Sequence, residues 1–200
     1  MATKSIELLT EEFNKLPSIG RKTAQRLAFA ILEMEKEEVE RFAKALIEVK
    51  EKVKKCIVCG NFSEEEICDI CKDDERDKSV ICVVEDSKDI IALERAKMYR
   101  GLYHVLHGKI APLNGKTLEQ LNIQTLVERV AKNNVNEVIM ALNPDLEGET
   151  TSMYLTRLLK NFDIKISRIA SGIPMGGNLE YSDMATLIKS IEGRRELKED

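Results

Sequence analysis

The sequence predicts an α+β protein built of modules in series, and three observations predict it. Apolar residues recur at helical spacing through the first quarter of the chain. Four cysteines in two CxxC pairs come next. From Ser79 onward, short β-branched runs alternate with helical stretches, the pattern of a parallel α/β sheet. The chain accordingly divides into a helical region (1–54), a small four-cysteine module (55–77), an α/β domain with a mostly parallel sheet (78–172) and a C-terminal loop and helix (173–200).

In the helical region, Ile6, Leu9 and Phe13 mark a first helix and Leu27, Ile31 and Met34 a second. A third carries Val39, Phe42, Ala43, Leu46 and Val49. LPSIG separates the first two with Pro and Gly, a turn signal. The net charge of −4 does not announce a nucleic-acid binder, but positive charge is concentrated locally. From Phe13 to Leu32 there is no acid, while Lys15, Arg21, Lys22 and Arg26 are basic, and KEKVKK follows at Lys50–Lys55. A helix, a tight turn with Gly20 and a second helix opening on basic residues can seat a phosphate. The second helix's free N–H groups and positive dipole end face it, Gly20 lets the backbone approach, and Arg21 or Lys22 adds charge. The alternative is an ordinary helical hairpin with a solvated basic face. Ala24, Leu27, Ala28 and Ile31 read as packing residues.

Cys56-x2-Cys59, eight residues, then Cys68-x2-Cys71 is the strongest motif in the chain. Two such knuckles complete a tetrahedral four-thiolate zinc site, leaving no open position for catalysis. Disulfides are disfavoured because cytosolic thiols stay reduced. The segment is too short for an apolar core, so one structural zinc ion is expected to order it. The fifth cysteine, Cys82, lies in VICVVE and reads as a small core residue.

The α/β domain offers strands at VICVVE, LYHVL, EVIMAL and IKISRIA and helices at 87–98, 123–133 and 149–161. The tail 181–196 reads as one more helix, after the loop GIPMGGN. Glu85 ends the first strand run, and NPDLEGET, carrying Asp145, Glu147 and Glu149, follows the third. Open α/β sheets place functional groups at strand C-termini, so these acids could converge at one sheet edge. They would suit Mg²⁺ beside a phosphate, or Glu147 and Glu149 simply favour a helix start. His104 and His107 belong to no recognisable catalytic arrangement and read as structural or partner-facing. No run approaches the roughly 20 apolar residues of a membrane span. The acidic, amphipathic start MATKSIELLTEEF is not a signal peptide, so a cytoplasmic protein is expected.

LPSIGRKTAQRLAF resembles a helix-hairpin-helix DNA-binding motif, departing from the usual LPGIG at Ser18. NPDLEGE resembles the DPDREGE of type IA topoisomerases, and hence a Toprim domain, with Asn143 in place of the first aspartate. That amide should weaken metal binding, and the chain has no room for a topoisomerase gate domain or primase machinery. With CIVCGNFSEEEICDIC, ICVVEDSKDI, YHVLHGKIAPLNG and SGIPMGGNLEYSD, the whole chain resembles the RecR family of bacterial recombination mediators. The resemblance implies a non-enzymatic protein of recombinational DNA repair that works with RecO, and in some contexts RecF, to load recombinase on single strands. It implies sequence-independent binding of single- and double-stranded DNA at the nucleoid by a ring-like tetramer built through the N- and C-terminal regions. It assigns DNA contact to Lys15, Gly20, Arg21, Lys22 and Arg26, and zinc to Cys56, Cys59, Cys68 and Cys71. Glu85, Asp145, Glu147 and Glu149 would meet RecO, with any Mg²⁺ there not catalytic. The family's C-terminal stretch carries a Walker B-like label, here near Asp183. No GxxxxGK[ST] loop accompanies it, so ATP hydrolysis is not expected. The alternative is a small Mg²⁺-dependent Toprim nuclease using Glu85, Asp145 and Glu147.

Overall fold

The structure, a computed structural model, describes residues 3–111, 117–132 and 134–196. Its contacts separate two compact units, Met1–Val53 and Lys54–Asp200. The first holds α1 (Lys4–Asn14), α2 (Arg21–Leu32) and α3 (Lys36–Lys52). Ala24 and Ala28, small enough for close helix approach, are the fully buried residues of α2, whereas α1 and α3 bury none. Phe42, Leu46 and Val49 on α3 therefore stay exposed.

The second unit opens with the cysteine module. There β1 (Lys54–Lys55) pairs antiparallel with β2 (Phe62–Ser63), and α4 (Asp69–Lys72) follows. The α/β domain comprises β3 (Asp77–Val84), α5 (Ser87–Arg95), β4 (Gly101–Val105), α6 (Ile123–Lys132), β5 (Glu137–Ala141), α7 (Leu146–Leu159) and β6 (Lys165–Arg168). The four strands are all parallel, in the order β4-β3-β5-β6. Alternate residues of β3 face opposite layers, as strand geometry requires. Ile81 and Val83 pack with Leu126 and Val130 of α6 and Leu155 and Leu159 of α7. Cys82 and Val84 pack with Ile90 of α5 and with Tyr103 and Val105 of β4. Burial on both faces explains why VICVVE and EVIMAL read as continuous apolar runs. Cys82 is buried as expected, which pushes its thiol up to about 12 and leaves it inert.

Three helix boundaries differ from the sequence reading, each for a local reason. The helix expected over 87–98 stops at Arg95, and Lys97 takes a left-handed φ of 54° that a helix cannot continue. The helix expected from 149 starts at Leu146, because Asp145 caps it by accepting from Gly148 N–H at 2.8 Å. The tail helix, α8, runs Met184–Glu192, with a short 3₁₀ turn at Leu179–Tyr181 before it. Asn133, the expected end of α6, and the PLNG portion of YHVLHGKIAPLNG lie outside the described residues. No helix among the described residues is long and apolar enough to cross a membrane.

Candidate nucleic-acid interface, metal centre and acidic surface

In the hairpin, the Ile19 N–H donates to Leu16 O at 3.2 Å, and Ser18 adopts a φ of 64°. That left-handed conformation explains why glycine is usual at this position: a non-glycine residue there costs on the order of 1 kcal/mol. Gly20, the N-cap of α2, is at φ −79° and ψ 164°, which any residue adopts. A Cβ added to it would meet nothing within 4 Å. The fold itself therefore does not demand glycine at this site. No side chain caps α2, and its first turn contains no acid. Arg21, Lys22 and Arg26 are exposed. Cations at the positive end of a helix dipole run against helix stability, so this arrangement suits an anion supplied from outside. Lys15 is exposed too, but it pairs with Glu12 at 2.7 Å.

The four cysteines converge. Their ligand atoms all lie within 4.8 Å of one another, the one cluster of this kind among the described residues. Cys59 Sγ and Cys68 Sγ are 3.6 Å apart, close to the ~3.8 Å between thiolates of a tetrahedral zinc with ~2.3 Å bonds. The turn of each knuckle aims an amide at sulfur: Asn61 N–H to Cys59 at 3.4 Å and Cys68 N–H to Cys56 at 3.3 Å. Hydrogen bonds from Cys59 and Cys71 drive Cys68 down towards its thiolate. These residues fit a four-thiolate zinc ion.

The module is seated on the sheet. Edge strand β4 donates Val105 N–H to Cys59 O at 2.8 Å. Gly60, at φ 78°, lies so close that a Cβ would come 2.7 Å from Asn122 Nδ2 and 3.1 Å from Val105 O. His104, fully buried on β4, meets Asn122 O through Nε2 at 2.7 Å. Burial lowers its pKa to about 4, so it is a neutral core residue. His107 takes a left-handed φ of 63° and lies against Phe62, with 6.2 Å between ring centroids.

At the C-terminal ends of β3, β4 and β5, side chains 58 residues apart in sequence meet. Asn143 Nδ2 donates to Glu85 at 2.7 Å. The amide at the topoisomerase-like position thus binds a carboxylate instead of adding another beside it. Lys109, in the loop after β4 and only 12 % exposed, reaches Asp145 at 2.5 Å, Glu85 at 3.5 Å and Glu147 at 3.8 Å. Its hydrogen bond to Asp145 raises the lysine pKa and lowers that of Asp145. Gly148 is required here, since a Cβ would fall 2.0 Å from Asn143 O. Glu149, grouped with these acids by sequence, separates from them. It faces the Arg168 guanidinium on β6, with Nη1 at 2.9 Å, and that pairing lowers its pKa. Sequence reasoning missed Lys109 although it stands in the quoted LHGKI. Asp183, near the Walker B-like stretch, caps α8 by accepting from Thr186 N–H at 2.9 Å and Thr186 Oγ1 at 2.6 Å.

Comparisons with known proteins agree on one family. Models for a RecR helix-hairpin-helix (residues 6–50), a RecR four-cysteine zinc finger domain (53–73), a Toprim domain (79–170) and a RecR C-terminal region (172–195) all match. The chain is 53 % identical over 192 residues to Recombination protein RecR of Staphylococcus aureus strain JH9. The same figures hold for strain Newman, and each alignment spans 96 % of this chain and 97 % of the relative. The chain belongs to the RecR family of recombination proteins.

Proposed function

We propose that the chain is a non-catalytic DNA-binding mediator of recombinational repair. It clamps single- or double-stranded DNA through the α1–α2 hairpin without reading sequence, and with RecO and RecF it helps load recombinase. The observation that carries this reading is the start of α2: an uncapped helix N-terminus, an N-cap glycine with open space, and exposed Arg21, Lys22 and Arg26 on a helix whose first turn has no acid, although Glu7 and Glu11 of α1 line a pocket with Arg21. Lys15 stands at the rim, shared with Glu12. One zinc ion held by Cys56, Cys59, Cys68 and Cys71 is structural, ordering the knuckles against β4. The protein works in the cytoplasm at the nucleoid.

Glu85, Asp145, Glu147 and Glu149 form the surface for basic groups of RecO. Lys109 offsets only one of the three charges of Glu85, Asp145 and Glu147, which leaves acidity for a basic partner. Its ammonium sits among them where a catalytic Mg²⁺ would be needed, which supports a docking role over nuclease chemistry. Assembly into a ring-like tetramer accounts for α3, which buries none of its apolar stripe, and for Met175, Tyr181 and Met184, all exposed near the C-terminus.

Arg21→Ala with Lys22→Ala tests the hairpin. Affinity for DNA of any sequence should fall, and the slope of log affinity against log salt should flatten by roughly 1.4 to 1.8 for two lost phosphate contacts. Unchanged affinity and slope would remove the hairpin from the interface.

A further inference from the structure

Arg129, on α6, is only 6 % exposed. Its Nη1 donates to Tyr103 O at 2.6 Å, while Nη2 is buried with no hydrogen-bond partner among the described residues. A buried guanidinium needs a compensating anion. Arg129 shares a cavity of about 480 Å³ with Cys71, Val58 and Lys78, and among the described residues no carboxylate lines it. Lys78 is already taken by Asp74 at 2.5 Å. The zinc module and Arg129 also dock on one strand edge. Tyr103 and Val105 are alternate residues of β4, so their outward polar groups point the same way. One accepts from Arg129 and the other donates to Cys59 O. Four thiolates around a zinc dication leave a net charge of about −2 to be balanced.

We infer that Arg129 is the counter-charge of the four-thiolate centre, a positioning residue that tunes how tightly the cysteines hold their metal. The inference rests on the zinc reading. Across the cavity the guanidinium faces Cys71, and the negatively charged zinc–thiolate centre in turn supplies the counter-charge that the buried arginine lacks. Groups beyond the first ligands typically change metal affinity about 10- to 100-fold when removed.

The test uses the full chain and two variants that both keep a donor for Tyr103. Arg129→Gln removes the charge, and Arg129→Lys retains it. Zinc affinity is measured by chelator competition, and the thiolate-to-cobalt charge-transfer band by absorbance after cobalt substitution. Arg129→Gln should hold zinc roughly 10- to 100-fold more weakly with a shifted band, and Arg129→Lys should stay within a few-fold of the parent. Parent-like zinc affinity and an unmoved band in Arg129→Gln would overturn the inference, even if its melting temperature fell. So would equal weakening in both variants, since geometry instead of charge would then be at work. A parent chain that binds neither zinc nor cobalt would overturn the zinc reading itself.

Discussion

Burial of His104 ties stability to pH. Its pKa is depressed from 6.5 to about 4, chiefly by desolvation, so the folded state resists a proton that the unfolded chain accepts. The contribution is complete above pH 6.5 and is lost as pH falls towards 4, amounting to roughly 3 kcal/mol. Thermal melts across that window should show His104→Gln, which can still donate to Asn122 O, losing less stability than the parent. Comparing the two separates the histidine from protonation of the cysteine thiolates. Parallel curves would show that His104 does not titrate. At this scale legibility was uneven. Ser18 stood out in sequence as the wrong residue for its turn, and its positive φ is the physical reason. Lys109 was not legible, because it follows β4 and its partner Asp145 lies 36 residues away. No local pattern reports such a pairing.

In the α/β domain periodicity gave elements that bury a regular face: two residues apart in β3, three to four apart in α6. Ends were less legible, since caps decide them. Asp145 and Asp183 start α7 and α8 with side-chain acceptors that a reading of apolar spacing does not weigh. The CxxC pairs were the most legible element, because metal geometry fixes ligand spacing independently of packing. The knuckles' place against β4 was not, since Gly60 and Val105 meet only in the fold. Zinc removal is therefore expected to act in two places. Chelation or Cys56→Ser should lower the melting temperature and speed amide exchange at Val105, whose acceptor is Cys59 O. A metal-free chain with parent stability and exchange would show that zinc orders nothing.

For the whole molecule, a Toprim-type sheet carries acids at its switch point, where Asn143 binds Glu85 and Lys109 offsets one of the three negative charges of Glu85, Asp145 and Glu147. The N-terminal unit leaves Phe29, Phe42, Leu46 and Ile47 exposed, and a tetramer is the assembly proposed to cover them. Light scattering should return a mass near four times that of the 22.7 kDa chain. A monomer at every concentration, with or without DNA, would exclude a clamp. A protein that holds DNA and does not cut it must meet two conditions, and one assay addresses both. Labelled single- and double-stranded DNA is incubated with purified protein and Mg²⁺ or Mn²⁺, scoring bound and cleaved fractions together. Retained binding on intact DNA is the expected result. Cleavage that disappears in Asp145→Ala or Glu147→Ala would contradict it.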